Sequence, residues 1–373
     1  MIVKKVKVEC IDPQTGLVLK RIITSEGEYL NRKLAVNNGL VNCETSRMAA
    51  KKSILASPIQ VHHIRYDRKH HRWATEGLLK SKDHANKQGR LFLPFDQRNE
   101  ESWDGLTWSE SESRFQELAT LGLPVVPYAI PPKGRLDDWR MRKPDAISIL
   151  NKSQILAPIF CSKHDVAYFE DLFRYEFGSS KLIGTQCYSV NDANTISNLV
   201  TMKTVNLSLA EGEESPMLFG LSHSKMIKSF SNVSGSFTYG CFGMDFLSQR
   251  QNFIENLPPD AIKKMLEKNP EDIYKYDRSE GGFNLSDEQT LLNGSASSNT
   301  KALLETITLS ENLTPYQAIQ WSNFVNQQED FNILNQKILE TRPEESKNTA
   351  IDFIRNDKIK WRLVWEGKIA VSL

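Results

Sequence analysis

Two aspartates close apolar runs in this chain. Asp96 follows Leu91–Phe95, and Asp245 follows Phe237–Met244. Paired carboxylates suit glycosyl chemistry, in which one attacks an anomeric carbon and the other shuttles a proton. Either aspartate also has an ordinary role open to it, as the cap of a following helix or turn. Other strand ends read from the sequence offer Cys161 with Ser162 and His164, then Gln186 and His223. Cys161 and His164 raise the idea of a thiol nucleophile. With no third orienting group, a buried strand cysteine beside a first-turn histidine is the simpler reading.

A second group of residues carries charge. Between residues 47 and 90 lie eleven Lys/Arg against three acids, together with five of the seven histidines. Lys51, Lys52, Arg65, Arg68, Lys69 and Arg72 are the cations expected to meet a phosphate backbone. Tyr66 and Trp73 interleave with them as possible stacking platforms. A solvated charged face is the plainer alternative. The pairs His62/His63 and His70/His71 admit a metal-dependent nuclease reading. The surrounding cations oppose a metal, and no ligand spacing supports one, so neither metal nor cofactor is expected. Lys133–Lys143, with Arg135, Arg140 and Arg142, reads either as a phosphate-binding loop or as a surface loop of mixed charge. No standard nucleotide-phosphate loop occurs.

Elements must hold these groups in place. The chain has 373 residues, 39% hydrophobic and 25% charged, with net charge +1. That is the composition of a globular protein without a global field toward nucleic acid or membrane. No apolar run approaches the ~20 residues that cross a bilayer. The five cysteines are widely spaced, which fits reduced thiols and a cytoplasmic location. A hairpin is predicted for residues 2–24 around Asp12-Pro13-Gln14-Thr15-Gly16. Residues 28–52 are expected to be partly helical.

From residue 91 to about 250, short apolar runs alternate with amphipathic stretches. Strands are predicted at 91–96, 124–130, 145–150, 155–161, 181–188, 217–223 and 237–246, with helices at 164–177 and 192–202. Such alternation implies a parallel sheet. The expected fold is α/β, a (β/α)8-like barrel with an N-terminal hairpin extension and a C-terminal helical region. A doubly wound sheet is the alternative. The expected division is 1–90, 91–255 and 256–373. Within the last part, helices are predicted at 261–268, 300–309 and 315–339, and a strand pair near Glu366-Gly367.

Residues 217–250 resemble the last two strands of tRNA-guanine transglycosylases and their DNA-modifying relatives. Phe219-Gly220-Leu221 matches a strand ending in a small-residue turn, followed by a short helix at 224–230. The resemblance makes Asp245 the nucleophile of the final strand, with Arg250 as the arginine that follows it. Asp96 becomes the aspartate that holds the base. Two family features are missing. No CxCxxC…H zinc site follows the last strand, and Gln97-Arg98-Asn99 replaces Ser-Gly-Gly after Asp96. The resemblance therefore points to a divergent, DNA-modifying-like branch. It implies a pentosyltransferase that exchanges a deazaguanine-type base into DNA or RNA. The competing expectations are a non-catalytic nucleic-acid-binding or assembly subunit and the metal-dependent nuclease.

Overall fold

The structure is a computed structural model. It describes residues 1–37, 57–67, 72–75, 77–96, 105–161, 163–187, 193–210, 215–222, 233–249, 274–284, 315–341 and 349–364, with a few positions between. The chain opens with β1 (Val3–Ile11), β2 (Val18–Thr24), β3 (Glu28–Leu30) and β4 (Lys33–Leu34). Next come β5 (Ile59–Asp67), β6 (Arg72–Ala74), α1 (Leu78–Lys87) and β7 (Leu91–Asp96). The middle holds α2 (Trp108–Thr120), β8 (Val125–Ala129), α3 (Leu136–Ile149), β9 (Ile155–Cys161) and α4 (Val166–Phe177). It continues with β10 (Leu182–Cys187), α5 (Ala193–Leu209), β11 (Met217–Ser222) and β12 (Met226–Ile227). Then follow β13 (Val233–Ser234), α6 (Gly235–Cys241) and β14 (Phe246–Gln249). The last described elements are β15 (Lys275–Asp277), β16 (Gly282–Asn284), α7 (Pro315–Glu340), α8 (Thr349–Asp357) and α9 (Ile359–Val364).

The fold is mixed α/β, built on a six-stranded parallel sheet in the order β4-β14-β11-β10-β9-β8. Helices flank it, as parallel strands require. Beyond β4, Val36 bridges to Gln60 of β5 in parallel, with Val61 N–H donating to the Val36 carbonyl at 2.8 Å. β5 in turn pairs in parallel with β7, from Ile59–Leu91 to Ile64–Asp96. These ladders cross the division expected at residue 90.

Alternation along the strands creates two cores. One face contributes Val61, Leu93, Phe95, Ile159, Cys161 and Phe219 to an inner cluster. The other face turns Phe92, Tyr128, Phe160 and Leu247 toward the helices. The inner cluster is filled tightly: a Cβ on Gly184 would lie 2.3 Å from Ile159 Cδ1. Val3, Val6 and Ile22 of the first hairpin belong to the same inner cluster. β1 and β2 pair antiparallel from Val3–Thr24 to Ile11–Val18. Asp12 Oδ2 accepts the Thr15 N–H at 2.8 Å inside their turn, so the predicted hairpin is present.

Several predicted elements differ. Residues 145–150 are not a strand: 145–149 are the last turns of α3, and its first half is the charged 133–143 segment read as a loop. Apolar residues on both sides of this helix mimic a buried strand. The predicted strand 237–246 is α6 followed by a turn, and the strand begins only at Phe246. All seven α6 residues are buried, so packing overrides the β-propensity of Phe237, Thr238 and Tyr239. Of residues 28–52, expected to be partly helical, Glu28–Leu30 and Lys33–Leu34 are strands, and most of the remainder lies outside the described residues. Within the predicted helix 224–230, Met226–Ile227 is a short strand. Trp361–Val364 belongs to α9; the expected turn at 366–367, and nearly all of 261–268 and 300–309, lie outside the described residues.

α7 matches its predicted span. Its buried side is rich in amides: Gln328 Oε1 accepts the Leu34 N–H at 2.8 Å, and Asn335 Nδ2 donates to the Asn31 carbonyl at 2.7 Å. Among the described residues, no helix is long and apolar enough to cross a membrane.

Candidate functional site

His63, Asp96 and Cys161 lie toward the C-terminal ends of the parallel strands β5, β7 and β9. On β5, Val61 faces the inner cluster, and His63 shares its register. The His63 ring lies edge-on to Phe95, centroids 6.2 Å apart. His62 points to the opposite face, where its ring meets Phe92. Burial lowers the His62 pKa to about 4, which keeps the ring neutral. Neighbouring strand residues diverge, so His62 and His63 do not chelate one ion together. Among the described residues, no group of three or more His, Cys, Asp or Glu is placed to hold a metal.

Cys161 ends β9 on the inner face, and Ser248 shares the inner register of β14 with Phe246. His164 Nδ1 lies 3.4 Å from Cys161 Sγ and 2.8 Å from the Cys161 carbonyl. Both side chains are fully buried. Burial lowers the His164 pKa to about 4, against the opposing pull of the Cys161 and Pro131 carbonyls. The Cys161 backbone N–H also donates to His164 Nδ1 at 3.1 Å, so the Cys161 main chain engages this nitrogen through both its N–H and its carbonyl. His164 thus staples the turn after β9 through the Cys161 backbone. Asn198 Nδ2 donates to the His164 carbonyl at 3.1 Å, which ties the turn to α5.

The two aspartates are not brought together. Asp96 is the last residue of β7, at the C-terminal end of the parallel strands. Asp245 immediately precedes β14, at the N-terminal end. Its carbonyl accepts the Lys33 N–H, and its own N–H donates to the Leu218 carbonyl. Asp245 Oδ2 takes hydrogen bonds from Lys20 Nζ at 3.1 Å and Leu218 N–H at 2.8 Å. Oδ1 takes one from Asn31 Nδ2 at 3.1 Å. Lys20 and Asp245 side chains are both 0% exposed. Burial holds the Lys20 pKa below the usual amine range, and the adjacent carboxylate opposes that shift. The expectation that Asp245 ends its strand is therefore corrected: a buried ammonium and two N–H donors occupy its oxygens, beneath the sheet.

The basic segment forms an arm at the opposite end. β5 continues past its last pair with β7, and Arg65–Asp67 turn into an antiparallel ladder with Arg72–Ala74. Arg65 sits opposite Ala74 in that ladder. Arg72 is exposed. His70 and Asp67 form an exposed pair, with Nδ1 and Oδ2 2.7 Å apart. The aromatics behave otherwise than expected. Trp73 is 6% exposed, its Nε1–H donates to the Arg114 carbonyl at 3.0 Å, and its backbone N–H donates to Glu117 Oε1. Tyr66 packs edge-on to Trp73 and is covered by the Arg114 guanidinium, 4.0 Å above its ring. The pair anchors the arm to α2 and offers no face of Trp73 for base stacking. Lys51, Lys52, Arg68, Lys69 and Arg250 lie outside the described residues.

Sequence reasoning on strand ends missed His63 and Ser248. Alternation along β5 would have separated His63 from His62, because Ile59 and Val61 mark the buried register. No protein-family model matches the chain, and no curated protein matches its sequence.

Proposed function

We propose that this chain is a nucleic-acid-binding protein that works at the C-terminal end of its parallel strands. The observation that carries this reading is the β5–β6 arm, which extends beyond the last β5–β7 pair with Arg65 and Arg72 on it. It belongs to a tract with eleven Lys/Arg against three acids. Clustered cations on a projecting ribbon suit a phosphate backbone. With Trp73 committed to α2, the arm contacts phosphates rather than stacking on bases, so binding tolerates any sequence.

The same proposal takes the sheet as part of a (β/α)8 barrel. Supporting it are the continuation from β4 through the Val36–Gln60 bridge to β5 and β7, and the inner cluster to which Phe95 of β7 and Val125 of β8 both contribute. Barrel chemistry lies at the C-terminal ends of strands, which by analogy of fold makes His63, Asp96 and Cys161 the groups nearest a bound chain. Asp245 has no such position. Base exchange thus keeps Asp96 as its carboxylate and lacks the partner that Asp245 was expected to supply. A non-catalytic binding subunit needs neither aspartate, and the geometry favours it.

Fluorescence anisotropy with labelled duplex and single-stranded oligonucleotides tests the proposal. Affinity is expected to fall steeply with salt. Reversing Arg72 to Glu is expected to reduce the log–log salt slope by about 0.9 per lost phosphate contact, whatever the sequence. Binding that ignores both salt and Arg72→Glu refutes it. Exchange of labelled guanine that disappears in Asp96→Asn would restore the enzymatic reading.

A further inference from the structure

We infer that the N-terminus of α1 is a phosphate seat, formed by backbone N–H groups of its first turn, the Lys80 ammonium and the His62 ring. A phosphate that belongs to a nucleic acid rests on the function proposed above; the seat itself does not. α1 is the crossover from β5 to β7, and its cap residue Gly77 follows three residues after Ala74 of the arm. A helix start carries N–H groups without intrahelical partners, at the positive end of the helix dipole. Among the described residues no side chain caps this start, and the first turn holds no acid. Leu78 N–H donates to the Thr75 carbonyl at 3.0 Å, and the first helical bond runs from Ser81 N–H to the Gly77 carbonyl at 2.9 Å. The N–H groups between them, of Leu79 and Lys80, are the ones an anion meets. Gly77 is exposed and has φ 73°. Glycine holds that conformation without strain and puts no side chain between the turn and a ligand.

His62 is the second mark of a site. Its residue is 7% exposed, yet its buried Nδ1 has no hydrogen-bond partner. The ring is turned to the helix start: a Cβ built on Gly77 would have His62 Cε1, the atom between the two ring nitrogens, as its neighbour at 3.9 Å. Buried polar atoms are ordinarily paired, and an oxyanion on the first turn of α1 supplies the acceptor that an Nδ1–H lacks.

The groups select the ligand. Backbone N–H, imidazole N–H and ammonium are all donors, so the occupant is an acceptor on several sides. Lys80 is exposed in the first turn. Asp83 stands a turn further on, and Glu76 lies outside the described residues. The seat belongs to the tract of eleven Lys/Arg against three acids, a setting that favours the charge of a phosphate over that of a single carboxylate. Two sources offer that chemistry, a free phosphate and the phosphates of a polynucleotide.

Titrating the isotopically labelled full chain with inorganic phosphate at constant ionic strength, followed by NMR, tests the seat. Saturable shifts are expected at the Leu79 and Lys80 amides and at His62 Nδ1, with a dissociation constant of roughly millimolar. Lys80→Glu should weaken binding at least ~10-fold, although an acid in the first turn favours the helix itself. Lys87→Glu, the same charge change at the far end of α1, should stay within about 2-fold, because the dipole acts only near the helix start. His62→Phe, its fold verified by circular dichroism, should also weaken binding. The inference is overturned by a titration without saturable shifts at these groups, by equal losses in Lys80→Glu and Lys87→Glu, or by His62→Phe binding as the parent does. A DNA duplex with 5′-hydroxyl ends is expected to displace the phosphate. If it does not, the seat stands with the free ion as its ligand, and the nucleic-acid reading is what fails. If the chain binds the duplex but shows no phosphate shifts, the seat alone is refuted.

Discussion

Replacing Asp245 with Ala separates a structural carboxylate from a catalytic one. The change leaves the Lys20 ammonium buried without its partner, and strips the Leu218 N–H and the Asn31 amide of an acceptor. Breaking a buried pair from one side costs about 3–5 kcal/mol, because the remaining charge stays desolvated. Both side chains here are 0% exposed, so the upper half of that range, about 4 kcal/mol, is expected. Against a total of roughly 5–15 kcal/mol for a folded protein, the loss should be plain in a urea titration. Lys20→Met should cost somewhat less, since Leu218 and Asn31 still serve the carboxylate. The double variant Lys20→Met/Asp245→Leu should recover much of the loss, because an apolar pair of similar volume fills the site without a stranded charge. A cost below about 1 kcal/mol for Asp245→Ala, or a double-variant loss equal to the sum of the two single losses, would refute the reasoning. A stable Asp245→Ala protein that had lost a base-exchange activity would return Asp245 to the role of nucleophile.

Other expectations concern acid stability and the arm. His62 and His164 are buried as neutral rings with pKa values lowered to about 4, so the unfolded chain takes up their protons first. The stability they contribute is complete above about pH 6.5 and declines as the pH falls toward 4, by up to about 3 kcal/mol per ring. Denaturation midpoints at pH 7 and pH 5 should differ accordingly, and a flat profile would contradict the burial argument. Trp73→Ala removes the hydrogen bond to Arg114 and the edge contact to Tyr66. It should cost about 3–5 kcal/mol if the arm folds with the rest, and proteolysis should then cut near residue 70 sooner than in the parent chain.

Much of this architecture is visible in the sequence where the signal is local. The first hairpin announces itself through Pro13 and Gly16, and β8 and β9 through short apolar runs between turn residues. Local signals fail where burial is decided from afar. Residues 145–150 read as a strand because Ala146, Ile147 and Ile149 are apolar on both sides of what is a helix. Residues 237–246 read as a strand because aromatic and β-branched types fill a helix buried all round. The position of Asp245 followed from that misreading, and no local pattern could reveal its partner, Lys20, 225 residues away. The basic tract was visible as charge, but the commitment of Trp73 to α2 rests on Arg114 and Glu117, some forty residues further on.

The Lys20–Asp245 contact also orders events in time. The hairpin's buried lysine has no carboxylate until residue 245 is made, and the inner cluster that Val3, Val6 and Ile22 join is complete only when Phe246 of β14 is added. Closing a loop of that length precedes the interactions that reward it. Completion of the fold therefore waits on the joining of this hairpin to a residue made 225 positions later. Until then Val3, Val6 and Ile22 stand as exposed apolar surface, the kind that chaperones cover.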